Sequence, residues 1–115
     1  MSPPPPSGLL LARLDELPDP CAQAVSFEHE GARFSLIVAR HGGRVTVFRN
    51  RCPHAGYPLQ RADGRILVQE GRYMVCGAHG ASFRLQDGAC AGGPCNGERL
   101  ERIAIAIREN AVFSA

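Results

Sequence analysis

Cys52 and His54 stand two positions apart and Cys76 and His79 three apart, and each pair runs into a glycine, Gly56 or Gly80. Thiolate is a soft ligand and neutral imidazole an intermediate one, so two of each suit either zinc or an iron-sulfur centre. Spacing bears on the choice. The common zinc finger takes both cysteines from one loop and both histidines, at helical spacing, from another. Here each loop supplies one cysteine and one histidine. That division fits two irons joined by bridging sulfides, one iron taking both thiolates and the other both imidazoles.

Loops of this kind need a rigid frame, and the rest of the 115-residue chain reads as β. A chain of this length makes one compact domain. Its 44% apolar residues supply a core, while 13 glycines, 9 prolines and no tryptophan indicate many turns and little helix. Residues 1–8 are a proline-rich tract that cannot enter a sheet ladder, and are expected to form a flexible, extended tail. Residues 9–115 are then the single domain. A first apolar run at 9–14 breaks at Leu17-Pro18-Asp19-Pro20. Residues 24–29, 32–39 and 45–48 read as strands of a meander, turned at His29-Glu30-Gly31 and His41-Gly42-Gly43. From about residue 50 to 95 the apolar runs shorten to 66–68 and 73–75 among glycines and prolines, which marks a small loop-rich subdomain. The alternation at 100–108 resumes a half-buried strand, and Glu109-Asn110 turns it into a last strand at 111–114. The expected fold class is mostly β, an antiparallel base with a loop-rich insertion carrying the Cys/His pairs.

A net charge of +2 is only mildly basic. The arginines are spread along the chain without interleaved aromatics, which argues against nucleic acid. No apolar run approaches the roughly 20 residues that span a bilayer. The N-terminus lacks the basic and apolar regions of a secretory signal and has no twin arginine, so the expected location is the cytoplasm, away from membranes. In a reducing compartment five cysteines, an odd number, read as metal ligands or redox groups rather than as a disulfide framework.

The stretches Cys52-Pro53-His54-Ala55-Gly56-Tyr57-Pro58-Leu59 and Cys76-Gly77-Ala78-His79-Gly80-Ala81-Ser82-Phe83 resemble the two cluster-binding boxes of the Rieske family. The resemblance extends to the strand pattern from Leu9 to Phe113 and to Gly92-Gly93-Pro94, which sits where Rieske ferredoxins have a third, proline-bearing loop. It implies a β sandwich base, a cluster-binding subdomain and one 2Fe-2S cluster per chain. By position Cys52 and Cys76 would bind the inner iron and His54 and His79 the outer one, the histidines forming the electron port. Gly56 and Gly80 would let backbone N–H groups approach the cluster sulfurs. Two departures stand out. Gly77 occupies a position where many members have proline, which would loosen the second loop. Tyr57 and Ala78 occupy the positions where quinol-oxidising members carry a disulfide-bonded cysteine pair. Those members also place a serine directly after the second His-Gly and a tyrosine two residues later, where this chain has Ala81 and Phe83.

Other groups read more plainly. Cys90 and Cys95 flank the proline loop at a spacing that admits a disulfide, but a reducing cytosol favours two small buried thiols. Cys21 reads as a loop thiol, and His29 and His41 as surface histidines in turns. Arg49, Arg51 and Arg61 read as solvent-exposed charges, with a docking rim for an acidic partner as the weaker reading. A lone domain of this family leaves no room for a mononuclear-iron domain, so the resemblance implies an electron carrier rather than an enzyme. Its partners would be a flavin-containing NAD(P)H reductase and a terminal oxygenase, with the free carrier a monomer. The alternatives are a fixed electron-transfer subunit, such as that of an assimilatory nitrite reductase, and a zinc-bound or cluster-bearing interaction or sensor module.

Overall fold

The computed structural model describes residues 5–53, 56–78, 80–95 and 97–115. The described chain is built on strands, with a single 3-10 turn at Leu14–Glu16. Strands β1 (Leu10–Arg13), β10 (Ile105–Arg108) and β11 (Ala111–Ser114) form one antiparallel sheet in the order β1-β11-β10. Strands β2 (Cys21–His29), β3 (Ala32–His41), β4 (Arg44–Arg49) and β9 (Arg102–Ile103) form a second. The third holds β5 (Leu67–Gln69), β6 (Tyr73–Val75), β7 (Ser82–Arg84) and β8 (Cys90–Gly92) in simple order.

The meander forms where two-residue turns match the twist of paired strands. Glu30 and Gly31 have φ of 50° and 81°, and Gly42 and Gly43 have 60° and 81°, the left-handed pair that a tight hairpin between right-twisted strands requires. Asp19 holds the second turn from outside, its carboxylate accepting from the N–H groups of Gly42 (3.1 Å) and Gly43 (2.7 Å). The first hairpin is long: β2 and β3 pair from Cys21 opposite Arg40 to His29 opposite Ala32.

The apolar run Leu36-Ile37-Val38-Ala39 in β3 is buried on both faces. Successive side chains of a strand point to opposite faces. Leu36 and Val38 therefore join Val47, Ile103, Leu11 and Val112 in the core between the first and second sheets. Ile37 and Ala39 join Phe48, Met74, Phe83 and Leu100 in a second core beneath the third sheet. The second sheet is thus the middle of three layers, and the third sheet with its loops stands on its outer face.

Three expectations change. The alternating stretch 100–108 is two strands: β9 pairs with β4 (Val47 opposite Ile103), whereas β10 pairs with β11 (Ile107 opposite Val112). The chain crosses between sheets at Ala104, whose carbonyl accepts from Ala115 N–H at 3.0 Å. The loop-rich subdomain is better ordered than its composition suggests, because β7 and β8, too short to show periodicity, complete a four-stranded sheet. The end of the proline tract is tied down: Pro5 is buried, Pro6 carbonyl accepts from Ser114 Oγ, and Gly8 N–H donates to Ser114 O at 2.7 Å.

Candidate functional site

Both Cys/His loops leave the ends of strands that the cores hold rigidly. The first follows β4 and the second follows β6, and the backbone closes each in the same way. Cys52 N–H donates to Tyr57 O at 2.7 Å while Gly56 N–H donates to Cys52 O at 2.7 Å. Cys76 N–H donates to Ala81 O at 2.7 Å while Gly80 N–H donates to Cys76 O at 3.0 Å. The matching glycines have φ of 77° and 73°, a conformation that costs an L side chain about 1–2 kcal/mol. That closure is what glycine does here: its N–H is directed to the carbonyl of the loop's own cysteine.

Cys52 and Cys76 are buried to 0% and 1% exposure and take no part in a disulfide. Both sit in the second core with Leu59, Met74, Ala81 and Phe83. Around them Gly56, Tyr57, Pro58, Gly77, Ala78 and Gly80 are exposed, and the Arg51 guanidinium stands 3.6 Å from where a Cβ of Gly56 would be, so two enclosed thiols lie beneath a small tip flanked by arginine. His54 and His79 lie outside the described residues.

The loops are joined to each other. Gly77 N–H donates to Leu59 O at 3.0 Å, and a Cβ on Gly77 would lie 2.9 Å from Arg61 Cγ and 3.2 Å from Arg61 Cα. The glycine tightens the second loop against the first, contrary to the loosening expected where relatives carry proline. Proline has no N–H to give and would bring a ring against the Arg61 backbone.

Asn50 is the supporting residue that the sequence does not announce. It is buried, its Oδ1 accepts from Leu59 N–H at 2.8 Å, and its Nδ2 donates to Gln60 Oε1 at 2.6 Å and to Ser35 Oγ at 3.1 Å. One side chain fixes the end of the first loop to β3. An asparagine beside Arg51-Cys52 was the signal available, since a polar residue at a strand end that proves buried must satisfy its amide.

The arginines separate. Arg49 is buried to 9% exposure and meets Glu101 at 3.2 Å, so it pins β4 to the chain entering β9 and is not one of the expected surface charges. Arg51 and Arg61 are exposed as expected, and Arg61 lies 3.5 Å from Asp63. The Arg65 N–H donated to Asp63 at 2.9 Å, with the nearby guanidinium groups, holds that carboxyl below its ordinary range.

The remaining cysteines also depart from expectation. Cys21 opens β2 and is buried in the first core, where burial pushes its thiol pKa up. Cys90 and Cys95 are joined by a disulfide with Cα atoms 5.7 Å apart, not two separate thiols. A bulge at Ala91 and the turn at Gly93 fold the strand end back far enough to bring the two Cα atoms within bridging range. His41 is half-buried and lines a groove beside Cys90, and His29 lies 4.0 Å from Glu30.

No helix among the described residues is long and apolar enough to cross a membrane. No curated protein matches the sequence. Among solved structures, the ferredoxin of carbazole 1,9a-dioxygenase from Nocardioides aromaticivorans IC177 superposes with a TM-score of 0.69 at 21% identity, covering 93% of this chain and 95% of that one. The Sphingomonas yanoikuyae B1 ferredoxin gives 0.67 at 27% identity, covering 92% and 95%. The terminal oxygenase of the Nocardioides dioxygenase gives 0.68 at 20% identity, covering 92% of this chain but 29% of that one. The sequence profile of the Rieske [2Fe-2S] domain matches residues 9–108. With paired loops, buried thiols and a fold that all agree with this match, the chain belongs to the Rieske [2Fe-2S] domain family, whose members carry one such cluster per chain.

Proposed function

We propose that the protein is a one-electron carrier in which Cys52 and Cys76 hold one iron of the cluster and His54 and His79 the other. Two cysteines that are enclosed, free of disulfide and presented by equivalent loops offer the soft donors such a cluster needs. When bound, the cluster supplies a centre that takes up and releases one electron. The protein's part is to exclude water from the thiolates, to hold the two loops at a fixed separation through Gly77 and Leu59, and to present a small tip against which a partner can close.

The observation that carries the reading is that the two enclosed cysteines on equivalent loops fall within the family match over residues 9–108, on a fold that superposes on two solved ferredoxins. A further match at 21% identity and TM-score 0.71 is described as a complex of reduced oxygenase and oxidized ferredoxin in carbazole 1,9a-dioxygenase. We infer that electrons here likewise leave to a terminal oxygenase, and further that they arrive from a flavin-containing NAD(P)H reductase, in the cytoplasm, with the free carrier a monomer.

The test begins with the purified protein, which should contain iron and acid-labile sulfide in equal amounts and bleach on one-electron reduction. Cys52→Ser or Cys76→Ser should remove most of the iron. Zinc without sulfide would overturn the assignment. Rapid-mixing of the oxidised protein with candidate flavin reductases, and of the reduced protein with oxygenases, then identifies the partners by rate.

A further inference from the structure

The Cys90–Cys95 bridge runs from the interior toward the surface, Cys90 packing against the core that encloses Cys95. Cys95 is fully buried, in the same core as Cys52, Cys76 and Ala81. Cys90 is half-buried and lines an open groove of about 600 Å³ together with His41, Arg72, Arg84 and Gln86. Among the described residues no carboxylate lines that groove, although Asp87 lies 3.5 Å from Arg84 and offsets part of its charge. The bridge closes the loop that contains Gly92, Gly93 and Pro94. Gly93 has φ of 83°, and a Cβ there would lie 3.0 Å from both Ala81 Cα and Gly80 O. Gly80 and Ala81 are the residues whose backbone closes the second Cys/His loop onto Cys76. A continuous line of contact therefore runs from the disulfide through Gly93 to the loop of Cys76.

We propose that the Cys90–Cys95 disulfide braces the second Cys/His loop and is opened from the arginine-lined groove by a small carboxylate-bearing thiol. A thiolate is the attacking species, and the reachable sulfur is that of Cys90. The thiolate of the small molecule forms a new S–S bond to Cys90, the bond to Cys95 breaks, and Cys95 leaves as a thiolate that takes a proton from water. A second molecule of the thiol attacks the mixed disulfide, releasing Cys90 as a thiol and the small molecule as its own disulfide. Two thiols are oxidised and the bridge gains two electrons. The arginines raise the local concentration of an anionic thiol, and disulfides reachable from solvent are the ones that exchange in a reducing compartment. Once the bridge is open, the loop through Gly93 is no longer held against Gly80 and Ala81.

The consequence for cluster retention rests on the cluster reading above, whereas the opening and the loosening do not. The first arm treats the purified protein with 3-mercaptopropionate, 2-mercaptoethanol and cysteamine at equal thiolate concentrations and follows the Cys90 peptide by mass spectrometry. With each rate divided by that thiol's rate on a small free disulfide, to remove intrinsic nucleophilicity, two partly exposed guanidinium groups should make the anionic thiol roughly threefold faster than the neutral one, with cysteamine slowest. Arg72→Gln with Arg84→Gln should equalise the three normalised rates. Equal normalised rates in the unsubstituted protein would overturn entry through the groove.

The second arm measures amide hydrogen exchange before opening, after it and after reoxidation. Exchange at residues 76–81 should rise several-fold on opening and return on reoxidation, while the β3 amides stay protected. Cys90→Ser with Cys95→Ser should start in the loosened state and ignore thiols. Unchanged exchange at 76–81 after the bridge has opened would overturn the brace. In protein that carries iron, transfer of iron to a chelator should accelerate with the loosening. Protein that carries no iron refutes the cluster reading, and the thiol and exchange arms still decide this proposal.

Discussion

Gly77 donates its backbone N–H to Leu59 O at 3.0 Å, and this bond ties the second Cys/His loop directly to the first. Gly77→Pro removes the donor and sets a ring against Arg61, whose Cα already stands 3.2 Å from the position of a Cβ. The expected loss is about 1–3 kcal/mol of stability together with faster iron release. Gly77→Ala keeps the donor and should cost less. Equal effects of the two substitutions, in denaturant titration, would show that the hydrogen bond contributes nothing.

Asn50 should behave as a hub for the first loop. Asn50→Ala leaves Leu59 N–H, Ser35 Oγ and Gln60 Oε1 without their shared partner, at about 2–3 kcal/mol. Asn50→Asp keeps the acceptor for Leu59 N–H but loses both donors, so it should fall between the two in urea midpoint. An alanine variant within about 0.5 kcal/mol of the parent would refute the assignment.

Two glycines with similar φ separate backbone strain from close contact. Gly31 (φ 81°) has open space where a Cβ would go, so Gly31→Ala should cost about 1 kcal/mol from conformation alone. At Gly88 (φ 74°) the added carbon would stand 2.6 Å from Phe48 Cε1 and 3.3 Å from Leu100 Cβ. Gly88→Ala should therefore cost about 2–4 kcal/mol, measured by the same titration.

Ala81 and Phe83 set the expected potential. Both are fully buried with Cys52 and Cys76, while Ser82, between them on β7, is only half-buried and absent from that core. The hydroxyls that quinol-oxidising relatives place at these two positions are missing here. Each would favour the reduced cluster by about 1 kcal/mol, or roughly 40 mV for one electron. The midpoint should lie at the low end of the family's span, about −150 mV. Ala81→Ser with Phe83→Tyr should raise it by several tens of mV in voltammetry at neutral pH, provided the iron content is unchanged.

Cys21 predicts an alkaline effect. Burial raises its thiol pKa in the folded state above the ordinary 9.0. The folded state then binds the proton more tightly, so the contribution is complete below the unfolded value and is lost as pH rises from there through the raised folded pKa. Melting curves from roughly pH 8 to 11 should fall less steeply for Cys21→Ala than for the parent. Identical slopes would remove Cys21 from the alkaline transition.

Legibility in the sequence followed the length of each signal. The long meander and its two turns, the strand 73–75 and the last strand 111–114 were all readable from alternation and turn residues. Strands β7 and β8 were not, because three residues such as Cys90-Ala91-Gly92 carry no periodicity. The alternation across 100–108 is equally good whether one strand continues or two strands in different sheets meet at Ala104, and only the pairing partners distinguish them. The Cys/His spacing stood out in the sequence because ligand chemistry restricts residue type, and the structure encloses Cys52 and Cys76, while His54 and His79 lie outside the described residues. What supports the two loops was not legible. Arg49 is buried because Glu101, fifty-two positions away, is there to meet it, and neither residue signals that on its own.

The double burial of β3 has a consequence for how the protein responds to change. Neighbours in sequence belong to different interiors: Leu36 and Val38 face one, Ile37 and Ala39 the other. Substitutions at odd and even positions therefore speak to different lobes, so volume beneath the Cys/His loops can be adjusted without touching the sandwich. Neither lobe can lose this strand alone, however. Detaching β3 removes a wall from both interiors at once, which couples the melting of the electron-carrying end to that of its base and makes one cooperative transition of a two-lobed molecule.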